Sequence, residues 1–190
     1  MNEELILIRH GRSAHVQTAW MDLQGFHRWR EAYDAVGILA AEAPPAELRE
    51  RVERAGVLVC SDALRTVESA RLLAHGRNVI VSPLLRERVV SPPALRAVRL
   101  PLIGWALAYG IRWLYREITS RPHAPDDEIE RAREAAEWLE GLAREHRSVA
   151  VVTHASFRSL LAGTLTARGW TAGAGRKRSS HWSAWSLTRD

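Results

Sequence analysis

Cysteine is almost absent. Cys60 is the only one in 190 residues, which excludes an intrachain disulfide and any zinc site built on cysteines and makes a reducing cytoplasm the expected compartment. Lysine is as scarce. Lys177 is the one basic residue of 27 that is not arginine, so positive charge comes as the planar guanidinium fork that suits phosphate and carboxylate. Against 22 acidic residues the net charge is +5, a balance compatible with an anionic substrate. Long apolar runs are missing too. The stretch 100–111 falls well short of the ~20 residues of a membrane helix, and Met1-Asn2-Glu3-Glu4 is acidic where a secretory signal is basic. No integral membrane segment is expected, and neither internal repeats nor low-complexity segments occur. What remains, 46 % hydrophobic and 26 % charged residues, is globular composition and excludes a disordered or collagen-like chain.

Short apolar runs alternate with helical patterns, as in βα units around a parallel sheet, so the fold class is α/β in three layers, a mostly parallel sheet with helices on both faces. Leu5-Ile6-Leu7-Ile8 ends abruptly in Arg9-His10-Gly11, as a buried central strand ends in a loop. Gly56 to Cys60 repeats the pattern and ends in Ser61-Asp62, either of which can cap a helix running to about Ala74. Val79 to Val81 and Ser148 to Val152 read as further strands, the latter ending in Thr153-His154 before a helix from Ser156 to Ala167. Trp182 to Leu187 reads as a last strand at a sheet edge. Helices are also expected over 26–35 and 127–146, and the whole chain, 1–190, as one domain. The segment 91–125, framed by prolines, reads as an insertion on the active-site side, too short for its own core.

The chemistry sits at the ends of those runs. In an open α/β sheet the carboxyl ends of the strands gather around one crevice. Arg9, His10, Arg65 and His154 lie just past such ends or on the first turn of the next helix, so three arms deliver two arginines and two histidines to one place. That set of donors suits the oxygens of a phosphoryl group. A neutral imidazole can attack phosphorus and form a phosphohistidine that water later hydrolyses, the arginines and His154 holding the spread charge. This scheme calls for no metal and no cofactor.

Leu7-Ile8-Arg9-His10-Gly11, Ser61-Asp62-Ala63-Leu64-Arg65-Thr66 with Glu68-Ser69-Ala70, Leu85-Arg86-Glu87 and Val151-Val152-Thr153-His154 resemble, in order and spacing, the motifs of the histidine phosphatase superfamily, also called the phosphoglycerate-mutase-like family. The resemblance implies that His10 is the nucleophile, that Arg9, Arg65 and His154 bind the phosphoryl oxygens, and that Glu87 is the proton donor. His154 thus counts among both catalytic and phosphate-binding residues. The expected activity is a metal-independent phosphatase acting on a small phosphomonoester, with a phosphomutase of the same superfamily or a catalytically weak phospho-ligand-binding regulator as alternatives.

The chain also departs from that pattern. Relatives carry an asparagine soon after Arg-His-Gly, where this chain has Arg12-Ser13-Ala14-His15, leaving His15 or Gln17 to replace its amide. Ala155 stands where glycine usually follows the second histidine, and excludes the aspartate acid of the acid phosphatase and phytase branch. Val89-Val90-Ser91-Pro92-Pro93 lacks the Tyr-Gly of the mutases. If 103–118 is helical, Ile103, Leu107, Ile111, Leu114 and Ile118 form one stripe and Trp105, Tyr109, Arg112 and Arg116 another. The first is expected to pack and the second to face solvent or roof the crevice. Arg176-Lys177-Arg178 reads as a solvated loop, and no nucleic-acid partner is expected. The sequence leaves a homodimer open.

Overall fold

The apolar runs form strands whose two faces bury different cores. The computed structural model describes residues 2–16, 19–88, 98–118, 126–173 and 179–190. Along the chain these give β1 (Glu3–Arg9), α1 (Leu23–Asp34), α2 (Ala46–Glu53), β2 (Val57–Cys60), α3 (Leu64–Ala74), β3 (Ile80–Val81), α4 (Leu102–Ile118), α5 (Asp126–His146), β4 (Ser148–Thr153), α6 (Ala155–Ala167), β5 (Thr171–Ala172) and β6 (Ala184–Arg189). The sheet order is β3-β2-β4-β1-β6-β5. The first four strands are parallel, and β6 runs antiparallel between β1 and β5.

Side chains alternate across a strand, so Leu5 and Leu7 of β1 face one layer and Ile6 and Ile8 the other. The first layer is α5 and α6, where Ala132, Ala135, Ala136, Leu139 and Ala143 recur at helical spacing over Val149, Val151 and Leu187. The second is α2 and α3, which set Leu48, Val52, Ala70 and Leu73 on Leu58, Cys60 and Val152. Because β1 and β4 are buried on both faces they read as unbroken apolar runs. Full burial of each Leu, Ile or Val contributes about 1.5–3 kcal/mol.

Three expectations need correcting. The N-cap of α3 is Ala63, not Ser61 or Asp62. The Asp62 carboxylate is taken by Arg86, whose Nε lies 2.7 Å from Oδ1, and Ser61 Oγ accepts from Ala63 N–H, its own local turn. The last strand is not an edge: the exposed two-residue β5 shields it, and β5, like α2, lacks an apolar run long enough to mark it in the sequence. The stripes of α4 are reversed where side chains are described. Trp105 is 0 % exposed, whereas Ile103, Leu107 and Ile111 are 63–70 % exposed. The indole fills a small core with Met21 and Phe26, stacked on Phe26 at 5.0 Å, and its N–H donates to the Met21 carbonyl at 3.1 Å. A large ring with a satisfied polar tip gains more by burial than the aliphatic stripe does. That core ties α4 to α1, alongside a bridge between Met21 and Leu100. The rest of the expected insertion, 91–97 and 119–125, lies outside the described residues, as do Gln17 and 176–178.

Candidate active site

β1 ends at Arg9, and the next two residues are held from three directions. His10 N–H donates to the Thr153 carbonyl at 3.1 Å, extending the pairing of β1 with β4. Gly11 N–H donates to Ser69 Oγ at 2.9 Å, and that hydroxyl donates to the Arg65 carbonyl at 2.6 Å, so the first turns of α3 are stitched to the loop. The indole of Trp182 covers Gly11 so closely that a Cβ there would meet it at 2.5 Å. Only glycine fits.

The ring of His10 is buried, and its Nδ1 lies 2.6 Å from the Gly11 carbonyl. A carbonyl only accepts, so the proton is on Nδ1 and the lone pair on Nε2. Burial pushes the His10 pKa well below the usual imidazole value, and His154, Arg65 and Arg9 push it further, against the pull of the Gly11 carbonyl. The ring is therefore neutral and nucleophilic at pH 7.

His154 stands at the N-terminus of α6, its ring 5.2 Å from that of His10 and edge-on to it. Arg65 Nη2 lies 3.2 Å from its Nδ1. Since a guanidinium only donates, Nδ1 accepts and Nε2–H faces Ser61 Oγ at 3.2 Å. Burial holds the His154 pKa well below normal, reinforced by Arg65 and Arg9. Arg65 is 2 % exposed, and its Nη1 pairs with Asp34 Oδ1 at 3.0 Å while its guanidinium lies 4.6 Å over the Tyr33 ring. Arg9 reaches the other way, donating from Nη1 to the Ser179 carbonyl. The Nε atoms of Arg9 and Arg65 are buried without an acceptor among the described residues, donors that an anion would satisfy.

Glu87 joins the same place through α6. Its Oε1 accepts from Ser156 Oγ at 2.6 Å, Phe157 N–H at 3.0 Å and Arg88 N–H at 3.0 Å. It thus caps a helix whose own N-cap, His154, makes no side-chain cap bond. Oε2 has no such partner among the described residues and is the oxygen available for proton exchange. Ala155 opens the helix, a position that suits alanine and has no need of glycine.

The structure therefore brings Arg9, His10, Arg65 and His154 together, with Glu87 anchored beside them. His15 has another partner, since its ring meets Trp29 edge-on at 5.6 Å. Sequence patterns miss Asp34 and His181. Asp34 ends α1 without any motif around it. His181, whose ring is 5.7 Å from that of His10, lies three residues before the last strand, a signal legible only once that strand is known to run antiparallel to β1. Among the described residues no group of three or more His, Cys, Asp or Glu side chains is arranged to hold a metal ion, and no helix is long and apolar enough to cross a membrane.

The model of the histidine phosphatase superfamily (branch 1) matches residues 5–187. The chain belongs to this superfamily. Solved structures of histidine-phosphatase type share the fold. The mycobacterial glucosyl-3-phosphoglycerate phosphatase aligns with 19 % identity and TM-score 0.52 over 86 % of this chain and 79 % of its own. Its complex with VO3 gives 20 %, 0.53, 85 % and 80 %. A putative alpha-ribazole-5'-P phosphatase from Escherichia coli gives 16 %, 0.50, 85 % and 78 %. No curated protein sequence matches the chain. In this histidine phosphatase superfamily member the site occupies the carboxyl edge of the sheet, where β1, β2 and β4 all end.

Proposed function

We propose that this histidine phosphatase superfamily member hydrolyses a small phosphomonoester through a phosphohistidine on His10, the whole chain acting as one domain. One observation carries the reading: the Gly11 carbonyl fixes the proton of His10 on Nδ1, leaving Nε2 bare among Arg9, Arg65 and His154. In the first step Nε2 bonds to phosphorus and the ester P–O bond breaks, the leaving oxygen taking a proton from Glu87. In the second, water bonds to phosphorus, the P–N bond breaks with its electron pair returning to Nε2, and Glu87 recovers the proton from the water. Arg9 and Arg65 hold the equatorial oxygens, where charge builds in a loose transition state, while His154, its single N–H given to Ser61, orients Arg65 from Nδ1. The relatives named for phosphatase activity on phosphorylated small molecules support this class of substrate.

The test is phosphate release from an aryl phosphate without added metal, comparing wild type with His10→Ala. Loss of at least about a thousandfold in kcat/KM is expected when a covalent nucleophile is removed. Undiminished turnover by the variant overturns the assignment, and isomer formation without phosphate release reassigns the chain to the mutases.

A further inference from the structure

We propose that His181 is a third imidazole of the catalytic site and donates a hydrogen bond to a non-bridging oxygen of the transferring phosphoryl group. The inference rests on the phosphohistidine reading and adds a residue that neither the sequence motifs nor the family match assigns.

The geometry begins with strand direction. β6 is antiparallel to β1 with Ile8 opposite Ala184, so the residues entering β6 lie beside those leaving β1. His181 to Ser183 therefore face Arg9 to Gly11 at the crevice. The segment is clamped there on several sides. Arg9 N–H donates to the Ser183 carbonyl at 3.0 Å and Trp182 N–H to the Arg9 carbonyl at 3.1 Å. Arg158, buried in α6, donates from Nη1 to the Ser183 carbonyl at 2.5 Å and from Nη2 to Ser183 Oγ at 3.1 Å. The indole N–H of Trp182 donates to Glu42 Oε1 at 2.9 Å.

Trp182 itself has φ +60°, the left-handed region that a tryptophan adopts only when its surroundings impose it. The consequence is local. The chain is turned so that the indole of Trp182 covers Gly11 while the preceding ring, His181, tilts toward His10 at 5.7 Å between centroids.

The ring is chemically unspent. Neither nitrogen of His181 has a hydrogen-bond partner among the described residues. Burial lowers its pKa to about 4, with Arg9 and Arg12 adding to the effect and Glu42 opposing it, so near pH 7 it is neutral and carries one N–H. A neutral donor suits this position. Arg9 and Arg65 already supply the positive charge an anion needs, and a neutral imidazole adds a directed N–H beside them. A phosphoryl group on Nε2 projects beyond the His10 ring, where an imidazole N–H needs to come within ~2.8–3.0 Å of an oxygen.

The experiment measures vanadate affinity by calorimetry alongside kcat/KM for an aryl phosphate, in wild type and in H181A, H181L and H181Q, with thermal melts identifying the folded variants. Ala and Leu remove the donor, and each is expected to weaken vanadate binding and lower kcat/KM at least tenfold, whereas Gln, which keeps an N–H, restores most of both. Wild-type affinity and kcat/KM in a folded H181A or H181L overturn the inference while leaving the phosphatase reading intact. A wild-type protein that neither binds vanadate nor turns over removes the phosphatase reading itself. Ring nitrogen NMR of the wild-type protein needs no substitution: vanadate shifts the imidazoles of His10, His154 and His181 if the inference holds, and leaves His181 unmoved if it does not.

Discussion

Three buried or half-buried imidazoles, His10, His154 and His181, all have pKa values below normal, and burial is the leading cause for each. The unfolded chain takes up protons near pH 6.5 while the native rings stay neutral, so the stabilising contribution is complete above pH 6.5 and is lost as pH falls toward the native values. For His181 that window runs from about 6.5 down to about 4. The melting temperature is therefore expected to drop as pH is lowered from 6.5, and the acid limb of kcat/KM to lie below 6.5. A pH-independent Tm through this range, or an acid limb centred above 6.5, contradicts the assignment of neutral histidines. At this scale the sequence is informative where a residue's role comes from its strand end, as for Arg9, His10 and His154. It is silent on Asp34, whose pairing with Arg65 depends on where α1 comes to rest.

Helices α4 and α6 show the limits of local pattern at the next scale. Periodicity identifies two stripes on α4 but cannot say which will find a partner, because the partner, Met21 and Phe26, lies some eighty residues earlier in the chain. Substitution separates the faces. Trp105→Ala is expected to cost ~3–5 kcal/mol through cavity formation and the orphaned Met21 carbonyl, whereas Leu107→Glu on the exposed stripe changes stability by no more than about 0.5 kcal/mol. Urea denaturation of the two variants checks this, and the reverse ranking would mean that the aliphatic stripe is the packed one after all. In α6 the legible feature is the apolar run before Thr153-His154. The hidden one is the cap, because the carboxylate that receives Phe157 N–H belongs to Glu87, on the opposite side of β4 in sequence.

The whole molecule is organised by β1 and β4, the two strands buried on both faces and joined in register from Glu4 opposite Ser148 to Arg9 opposite Thr153. Next to β4, Cys60 ends β2 at 0 % exposure, and burial with help from Asp62 pushes its thiol up to about 12, Arg71 opposing. A thiol so protected reacts only when the sheet opens. Labelling by an aromatic disulfide at pH 8 is expected to be negligible in native buffer and to rise with urea along the same transition as the circular dichroism, and rapid native labelling would place Cys60 outside the core. The chain by itself determined the α/β class, the central strands and the convergence of Arg9, His10, Arg65 and His154, because each is encoded by a contiguous apolar run and the residues just beyond its end. Tertiary structure alone decided the antiparallel docking of β6 that delivers His181, the capping of α6 by Glu87 and the face that α4 buries. Those outcomes depend on matching surfaces far apart in the chain, and local periodicity carries no record of its partner.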